Sequence, residues 1–220
     1  YSLQEKSGDE PVDQNILPDE VYEINNDNVL LGFKDEFLND STSPIYKDNF
    51  KDCHTMQIPT RVREISENAF CTNYKSTIPS FIKNLSFAEG SNSINESPGE
   101  AFGNCSALTS IDLSKCDKLS SINSCAFQNC SSLTSVSFPE SLKKIEYNAF
   151  WGCSSLTSVD FSNCTNLSSI GNNAFGSCYS ITSISLPSNL QTLGMNVFSY
   201  CSNLSIITWD SWKGNTILPT

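Results

Sequence analysis

The sequence has little histidine and no long apolar run. Its one histidine is His54, and a Ser-His-Asp or Cys-His catalytic arrangement needs such a residue held by both of its partners. Nothing around His54 resembles a nucleophile motif, so we expect a turn or surface residue there and no catalytic site. No run of 18 or more apolar residues occurs, so no membrane span is expected within this chain.

Basic residues are also scarce, because 13 Lys and Arg stand against 24 Asp and Glu, for a net charge of -11. Residues 1–40 hold eleven acidic and two basic side chains, and the rest of the chain is almost neutral. No basic stripe is present to neutralise phosphates, so nucleic acid is not an expected partner. We expect the acidic stretch to be a solvated, partly disordered cap, with residues 1–15 as a polar leader. An arm for a basic partner or a cation is the alternative.

The ten cysteines lack the pairing that metal sites use. No Cys-x-x-Cys motif occurs, and tetrahedral zinc sites favour such pairs or a mixture of cysteine and histidine. The acidic residues also lack the Asp-x-Asp-x-Asp-Gly spacing of a calcium loop. We therefore expect no metal and no cofactor.

What the chain does have is a repeated phrase made of an apolar doublet, two further residues and a cysteine. It occurs as Ala101-Phe102…Cys105, Ala126-Phe127…Cys130, Ala149-Phe150…Cys153, Ala174-Phe175…Cys178 and Val197-Phe198…Cys201. Each copy is followed by apolar residues with the spacing L-x-x-I-x-L, which recur every 23 or 25 residues. A period of this length is typical of leucine-rich repeats.

Each repeat is expected to hold a short strand, a tight corner, a second apolar segment and a return through the doublet. In the shorter repeats a proline follows the strand, as in Phe138-Pro139-x-x-Leu142-x-x-Ile145. Proline has no N–H for a strand ladder, so it belongs where a strand ends. One repeat cannot bury its own apolar side chains, so stacking of repeats is required. The expected fold is a curved, elongated repeat solenoid with short parallel β-strands and little helix.

Copies of the proline phrase also begin upstream at Leu17-Pro18, Ile58-Pro59 and Ile78-Pro79. We therefore expect degenerate repeats and an N-terminal cap over residues 16–100. The period breaks inside this range, and an inserted loop is expected near 91–99. Regular repeats and a C-terminal cap are expected over residues 101–220.

Five of the cysteines share the repeat position that follows the doublet, and Cys116 and Cys164 share another. We expect buried columns in which cysteine acts as a small apolar side chain. Disulfides between neighbours in the first column are the alternative, since adjacent coils bring their Cα atoms within range. Cys125 is the thiol expected to be accessible, because it stands where other repeats have asparagine: Asn148, Asn173 and Asn196.

Alternation along the first strand of each repeat places two columns of polar residues on the outer surface. This candidate protein-binding face comprises Ser110, Asp112, Ser135, Ser137, Ser158, Asp160, Ser183, Ser185 and Thr208. It is flat, rich in hydroxyl groups and low in charge. Asp112 and Asp160 lie on an open sheet without the enclosing pocket that catalysis needs. Binding to ice or a crystal surface is disfavoured, since both aspartates and Ile206 interrupt the hydroxyl columns.

The phrase Ala-Phe-x-x-Cys-Ser-x-Leu-Thr-Ser-Ile, with Phe-Pro-x-x-Leu-x-x-Ile after it, resembles the BspA-like leucine-rich-repeat family of surface proteins. The resemblance is strongest over residues 101–209 and extends back to about residue 49. It implies secretion or surface display and adhesive binding to a host or matrix protein, with no catalytic residues. A structural spacer or a carbohydrate-directed module of a larger surface protein is the second hypothesis. We expect the chain to be monomeric.

Overall fold

The computed structural model describes residues 16–66, 69–88 and 101–209, together with the backbone of residues 96–97. The described residues contain short strands, one α-helix, α1 (Asp35–Asn39), and two short 3-10 helices, Asp19–Val21 and Lys47–Phe50. The strands are β1 (Tyr22–Ile24), β2 (Val29–Phe33), β3 (Thr55–Ile58), β4 (Glu64–Ile65), β5 (Cys71–Thr72), β6 (Lys75–Ser76), β7 (Asn84–Phe87), β8 (Glu96–Ser97), β9 (Ser110–Asp112), β10 (Ser121–Ile122), β11 (Ser135–Ser137), β12 (Lys144–Ile145), β13 (Ser158–Asp160), β14 (Ser169–Ile170), β15 (Ser183–Ser185), β16 (Thr192–Leu193) and β17 (Ile206–Thr208).

The first strand of each coil contributes to a parallel surface that we call the first face. Strands β3, β7, β9 and β11 form one sheet, and β13, β15 and β17 form a second sheet that adjoins it at β11. Equivalent residues lie opposite each other, such as Ile111 against Val136 and Val159 against Ile184. The central residues of β9, β11, β13 and β15 are buried because alternate side chains point to opposite sides of a strand.

The second strand of each coil contributes to the second face, where β8, β10, β12, β14 and β16 pair in parallel. These strands have only two residues each, and Ile122, Ile145 and Ile170 stack in register on their inner side. The predicted solenoid of short parallel strands with little helix is therefore confirmed.

The segment that begins at Ile78-Pro79 occupies a different place from the one its spacing suggests. It has the spacing of the second-face phrase, but Leu85 lies in β7 on the first face, opposite Met56 and Ile111. The reason is its place in the coil. The segment follows the doublet Ala69-Phe70, and a first-face strand follows the doublet in the regular coils.

The third side of the solenoid consists of the turns that contain the apolar doublets, which we call the doublet turns. Their N–H groups donate to carbonyl groups of the following coil, as in Phe127 to Ala149 at 2.9 Å and Phe150 to Ala174 at 2.8 Å. These bonds hold adjacent coils together where no strand is present. The turns require residues with positive φ, and asparagine tolerates that conformation better than most residues. Such asparagines are Asn104, Asn129, Asn148, Asn173 and Asn196.

The core contains a stack of phenylalanine rings, one from each doublet. Successive ring centroids from Phe70 to Phe198 lie 5.3, 5.5, 5.3, 5.3 and 6.1 Å apart, and the rings are nearly parallel. Phe33 packs edge-on against Phe70 at 5.0 Å and so begins the stack at its N-terminal end. The doublets recur in sequence because each supplies one ring to this stack. Its members are Phe70, Phe102, Phe127, Phe150, Phe175 and Phe198.

Residues 16–40 form a packed cap, so the expectation of a solvated, partly disordered stretch is wrong for them. Ile16 bridges to Thr55, β1 and β2 form an antiparallel hairpin, and β2 pairs in parallel with β4. The hairpin turn is closed by Asn25, whose side chain accepts the N–H groups of Asp27 and Val29. The acidic side chains point outward, while the apolar residues between them are buried: Leu17, Val21, Tyr22, Leu30, Phe33 and Phe37.

Three expected features fall partly or wholly outside the described residues. The polar leader at 1–15 does so entirely, as does the part of the C-terminal cap beyond residue 209. Of the loop expected at 91–99, only the backbone of Glu96–Ser97 is described, and it pairs with β10 as part of the second face.

Candidate binding surfaces

The first face carries all nine residues that the sequence assigned to its outer surface. Ser110 lies opposite Ser135, Asp112 opposite Ser137, and the later strands continue both columns in register. Ser110 and Asp112 are half-buried, whereas the other seven residues are exposed: Ser135, Ser137, Ser158, Asp160, Ser183, Ser185 and Thr208. The strands thus place these residues on one side of the solenoid.

The same two columns extend further toward the N-terminus than the repeat spacing revealed. Thr55 and Asn84 continue the first column, and Gln57 and Ser86 continue the second. The Ser110 hydroxyl and an Asn84 side-chain oxygen are bonded at 2.7 Å. Sequence reasoning missed these residues because β3 and β7 belong to degenerate repeats, although the alternation of polar and apolar residues in Thr55–Ile58 is a signal that could have found them.

Asp112 and Asp160 have a local structural role at the ends of their strands. A side-chain oxygen of Asp112 accepts the N–H of Ser114 at 2.9 Å, and one of Asp160 accepts the N–H of Ser162 at 2.8 Å. Hydrogen bonds from Ser162 lower the pKa of Asp160, because they stabilise the charged carboxylate. Both aspartates therefore shape the turn that follows the strand, as Asx turns do.

The cysteine column is buried, as the sequence predicted, and each thiol contacts the preceding coil. Cys130 donates to the carbonyl oxygen of Phe102 at 3.4 Å, and Cys153 to that of Phe127 at 3.3 Å. Burial raises the pKa of Cys153 to about 12, because a thiolate is poorly solvated there. Cys125 and Cys201 are half-exposed, whereas the other eight cysteines are buried. Cys125 is partly accessible, as predicted, but it is not singled out, because Cys201 in the last described coil is half-exposed as well.

His54 is exposed, and its Nδ1 lies 3.1 Å from the carbonyl oxygen of Phe81, as expected of a surface residue. Among the described residues, no cluster of three or more His, Cys, Asp or Glu side chains is placed to hold a metal ion. Within the same ranges, no helix has the length and apolar character needed to cross a bilayer.

A second surface feature lies on the side of the doublet turns, where β5 and β6 form an antiparallel hairpin. The hairpin turn consists of Asn73 and Tyr74, both with positive φ, which is the geometry of a type I′ turn. Between this hairpin and the turn of Cys105 lies a cleft of about 310 Å³. Sequence reasoning located the break in the period but did not find this hairpin. The signal in the sequence that could have predicted the hairpin was Asn73, a residue common in tight turns, between two short polar segments.

These coils, with their two strand faces and stacked doublets, define a parallel β-solenoid built from leucine-rich repeats. The family model described as the BspA type leucine rich repeat region matches six copies, over residues 32–118 and 92–217. The chain belongs to this family.

Solved structures with the same architecture include the leucine-rich repeat protein TpLRR of T. pallidum. It is similar to this chain with a TM-score of 0.52 at 19% identity, over 86% of this chain and 69% of TpLRR. The pneumococcal vaccine antigen PcpA gives a TM-score of 0.45 at 18% identity, over 70% of this chain and 44% of PcpA. A leucine rich cell surface protein from Faecalibacterium prausnitzii gives 0.29 at 16% identity, over 87% and 93%. The TpLRR similarity supports the fold. Among curated proteins, none matches this chain in sequence.

Proposed function

We propose that the chain is the binding module of a secreted or surface-displayed protein, and that its first face contacts a host or matrix protein. The observation that carries this proposal is the continuity of the two outward columns across strands β3 to β17. Membership of the BspA-type family supports surface display. The absence of a catalytic arrangement around His54 and the low charge of the face favour binding over chemistry.

The size of the first face limits how it can bind. Seven strands spaced about 4.8 Å apart give a length of roughly 30 Å, and three-residue strands give a width of roughly 10 Å. The resulting area of roughly 300 Å² is well below the ~800 Å² per partner of a standard protein interface. A partner must therefore also contact the corners that precede the strands. Exposed threonines continue the hydroxyl surface there: Thr134, Thr157 and Thr182.

A structural spacer is the second candidate, and a specific observation favours it. The nine residues assigned to the first face include no Trp, Tyr or Arg, the side chains that contribute most binding energy at protein interfaces. A flat, nearly neutral surface of this kind also suits a rod that holds another domain away from a cell surface. A carbohydrate-directed module shares this composition, because its hydroxyl groups suit hydrogen bonding to sugars.

The proposal is tested with the full chain against immobilised matrix glycoproteins and glycans in surface plasmon resonance. The test variant is Ser135→Lys/Ser183→Lys, which adds two charges to exposed positions of the first face without touching Asp112 or Asp160. Its matched control, Gln191→Lys/Thr192→Lys, adds the same charge to exposed positions at the second face. Thermal unfolding of both variants establishes that they are folded.

Saturable binding to a glycoprotein that the first-face variant loses and the control retains supports the proposal. Equal binding by both variants places the contact elsewhere on the solenoid. No binding to any glycoprotein or glycan favours the spacer, and binding to glycans alone favours the carbohydrate-directed module.

A further inference from the structure

The β5–β6 hairpin interrupts the solenoid after the doublet Ala69-Phe70 and forms one side of a cleft. The hairpin leaves the doublet at Phe70 and returns at Thr77, whose N–H donates to the Phe70 carbonyl oxygen at 2.9 Å. The cleft between the hairpin and the next doublet turn is lined on the hairpin side by Tyr74, Lys75, Ser76, Ile78 and Ser80, and on the facing side by residues 104–108.

The base of this hairpin is fixed to the coil that it faces. The hydroxyl of Ser76 lies 3.2 Å from the thiol of Cys105, and the Asn104 side-chain nitrogen donates to the sulfur of Cys71 at 3.8 Å. The Ser76 hydroxyl also accepts the N–H of Ile78 at 3.1 Å. These contacts set the shape of the cleft before a ligand arrives, which lowers the ordering cost of binding.

Tyr74 is the most exposed large apolar side chain in the described part of the protein, with 81% of its surface accessible. Its φ of 61° is a conformation that a bulky residue rarely adopts. The type I′ turn requires this backbone conformation and thereby fixes the position of the side chain. The hairpin thus holds an aromatic ring in solvent at the edge of the cleft.

The charge of the cleft is opposite to that of the protein as a whole. Lys75 lines it, and the ammonium group of Lys83 donates to the carbonyl oxygen of the lining residue Ser80 at 2.7 Å. Among the residues that the structure describes, its lining contains no Asp or Glu, in a chain whose net charge is -11. The exposed residues Ser80 and Ser106 add neutral hydroxyl groups. An anionic ligand with hydroxyl groups therefore suits this lining.

We propose that this cleft binds the terminal residue of an acidic glycan, a single sugar that carries a carboxylate. The sugar ring packs on the face of Tyr74, its carboxylate pairs with the ammonium of Lys75, and its hydroxyls bond to Ser80 and Ser106. A cleft of about 310 Å³ lies at the lower end of the size range for small-molecule sites, which suits one sugar rather than a long oligosaccharide. This site is independent of the first face and of the function proposed for it.

The test measures binding of free N-acetylneuraminic acid and glucuronic acid to the full chain by saturation-transfer NMR and titration calorimetry. Galactose and acetate serve as probes that carry only the sugar ring or only the carboxylate. The variants are Tyr74→Ala and Lys75→Gln, both at exposed positions. Tyr200→Ala is the matched control, because Tyr200 is 76% exposed and also has a positive φ but lies far along the chain in the last described doublet turn.

We expect millimolar binding of at least one acidic sugar, a loss of about tenfold or more with Tyr74→Ala, and no change with Tyr200→Ala. Lys75→Gln is expected to reduce the preference for the acidic sugar over galactose. Absence of binding by both acidic sugars overturns the proposal, as does binding that both cleft variants retain. Acetate binding as strong as that of the sugars points to a simple anion site instead, and galactose binding of equal strength contradicts the acidic class.

Discussion

The thiol of Cys178 donates a hydrogen bond to the backbone carbonyl oxygen of Phe150, one coil earlier, at 3.3 Å. Phe150 in turn stacks on Phe175, with ring centroids 5.3 Å apart and planes inclined by 2°. Each doublet turn thus contacts its neighbour twice, through a ring on the inside and through a sulfur–carbonyl contact beside it. Cysteine suits its position because it is small, apolar and still able to donate to the carbonyl group.

Replacement of Phe150 by alanine is expected to lower the free energy of unfolding by about 3–5 kcal/mol, the usual cost of removing a large buried side chain. The cost arises because the ring contacts Phe127 and Phe175 on its two faces and Phe138 at its edge. Urea unfolding measures the change, and amide exchange shows whether neighbouring coils open together. Phe198→Ala, in a half-buried position, is the control and should cost less. An unchanged unfolding midpoint for Phe150→Ala contradicts the stack.

Replacement of Cys125 by asparagine is expected to stabilise the protein by about 0.5–1 kcal/mol, since left-handed backbone costs most residues about 1–2 kcal/mol and asparagine less. Cys125 has a φ of 61°, and the equivalent residues Asn148 and Asn173 have 54° and 57°. The backbone bond from the Cys125 N–H to the Tyr147 carbonyl oxygen is kept in the variant. Thermal unfolding checks the shift. Cys125→Ala should bring no such gain, and a gain of equal size with alanine contradicts the backbone explanation.

The buried thiols predict a loss of stability at alkaline pH. Burial raises the pKa of Cys153 from 9.0 to about 12, and burial with the nearby Asp112 and Asp117 raises that of Cys116 to about 12. In the unfolded chain these thiols ionise near their ordinary value. Their contribution to stability is therefore complete below pH 9 and is lost as the pH rises from 9 toward 12. Urea midpoints at pH 8, about 9.5 and about 10.5 should fall in that order.

The variant Cys153→Ala isolates the part of this pH dependence that comes from one thiol. It is less stable at pH 8 because it loses the contact with Phe127, but its decline between pH 9 and about 10.5 should be shallower than that of the parent protein. Parallel declines for the two proteins are the result that contradicts a role for Cys153 ionisation.

Deletion of residues 1–40 is expected to abolish cooperative unfolding or to lower its midpoint strongly. The deletion removes six buried apolar side chains, of which Phe33 and Phe37 pack on each other at 4.8 Å and Phe33 packs on Phe70 at 5.0 Å. Burial of each such side chain contributes about 1.5–3 kcal/mol. Deletion of residues 1–15 alone leaves all of these contacts in place and is the control. Circular dichroism during heating compares the two, and equal stability contradicts a structural role for residues 16–40.

The regular part of the fold was predictable because each coil packs against a near copy of itself. Ile111, for example, lies opposite the equivalent residue Val136 of the next coil, so the period of the sequence predicts which residues are neighbours. The same reasoning located the outward columns of the first face. The reasoning was wrong for Leu85, because the apolar spacing around it fits both the first-face and the second-face strand of a coil. Only the place of this segment, which follows a doublet, shows that Leu85 lies on the first face.

The solenoid, the buried cysteines and the polar first face could be predicted from the amino-acid sequence, because repetition converts local spacing into tertiary contacts. The structure was needed to show how residues 16–40 cap the first coil and where the β5–β6 hairpin places Tyr74 and Lys75. Those features depend on contacts between residues that have no counterpart in other coils, such as Ser76 with Cys105. A contact of that kind follows from the path of the whole chain, and no repeat spacing encodes it.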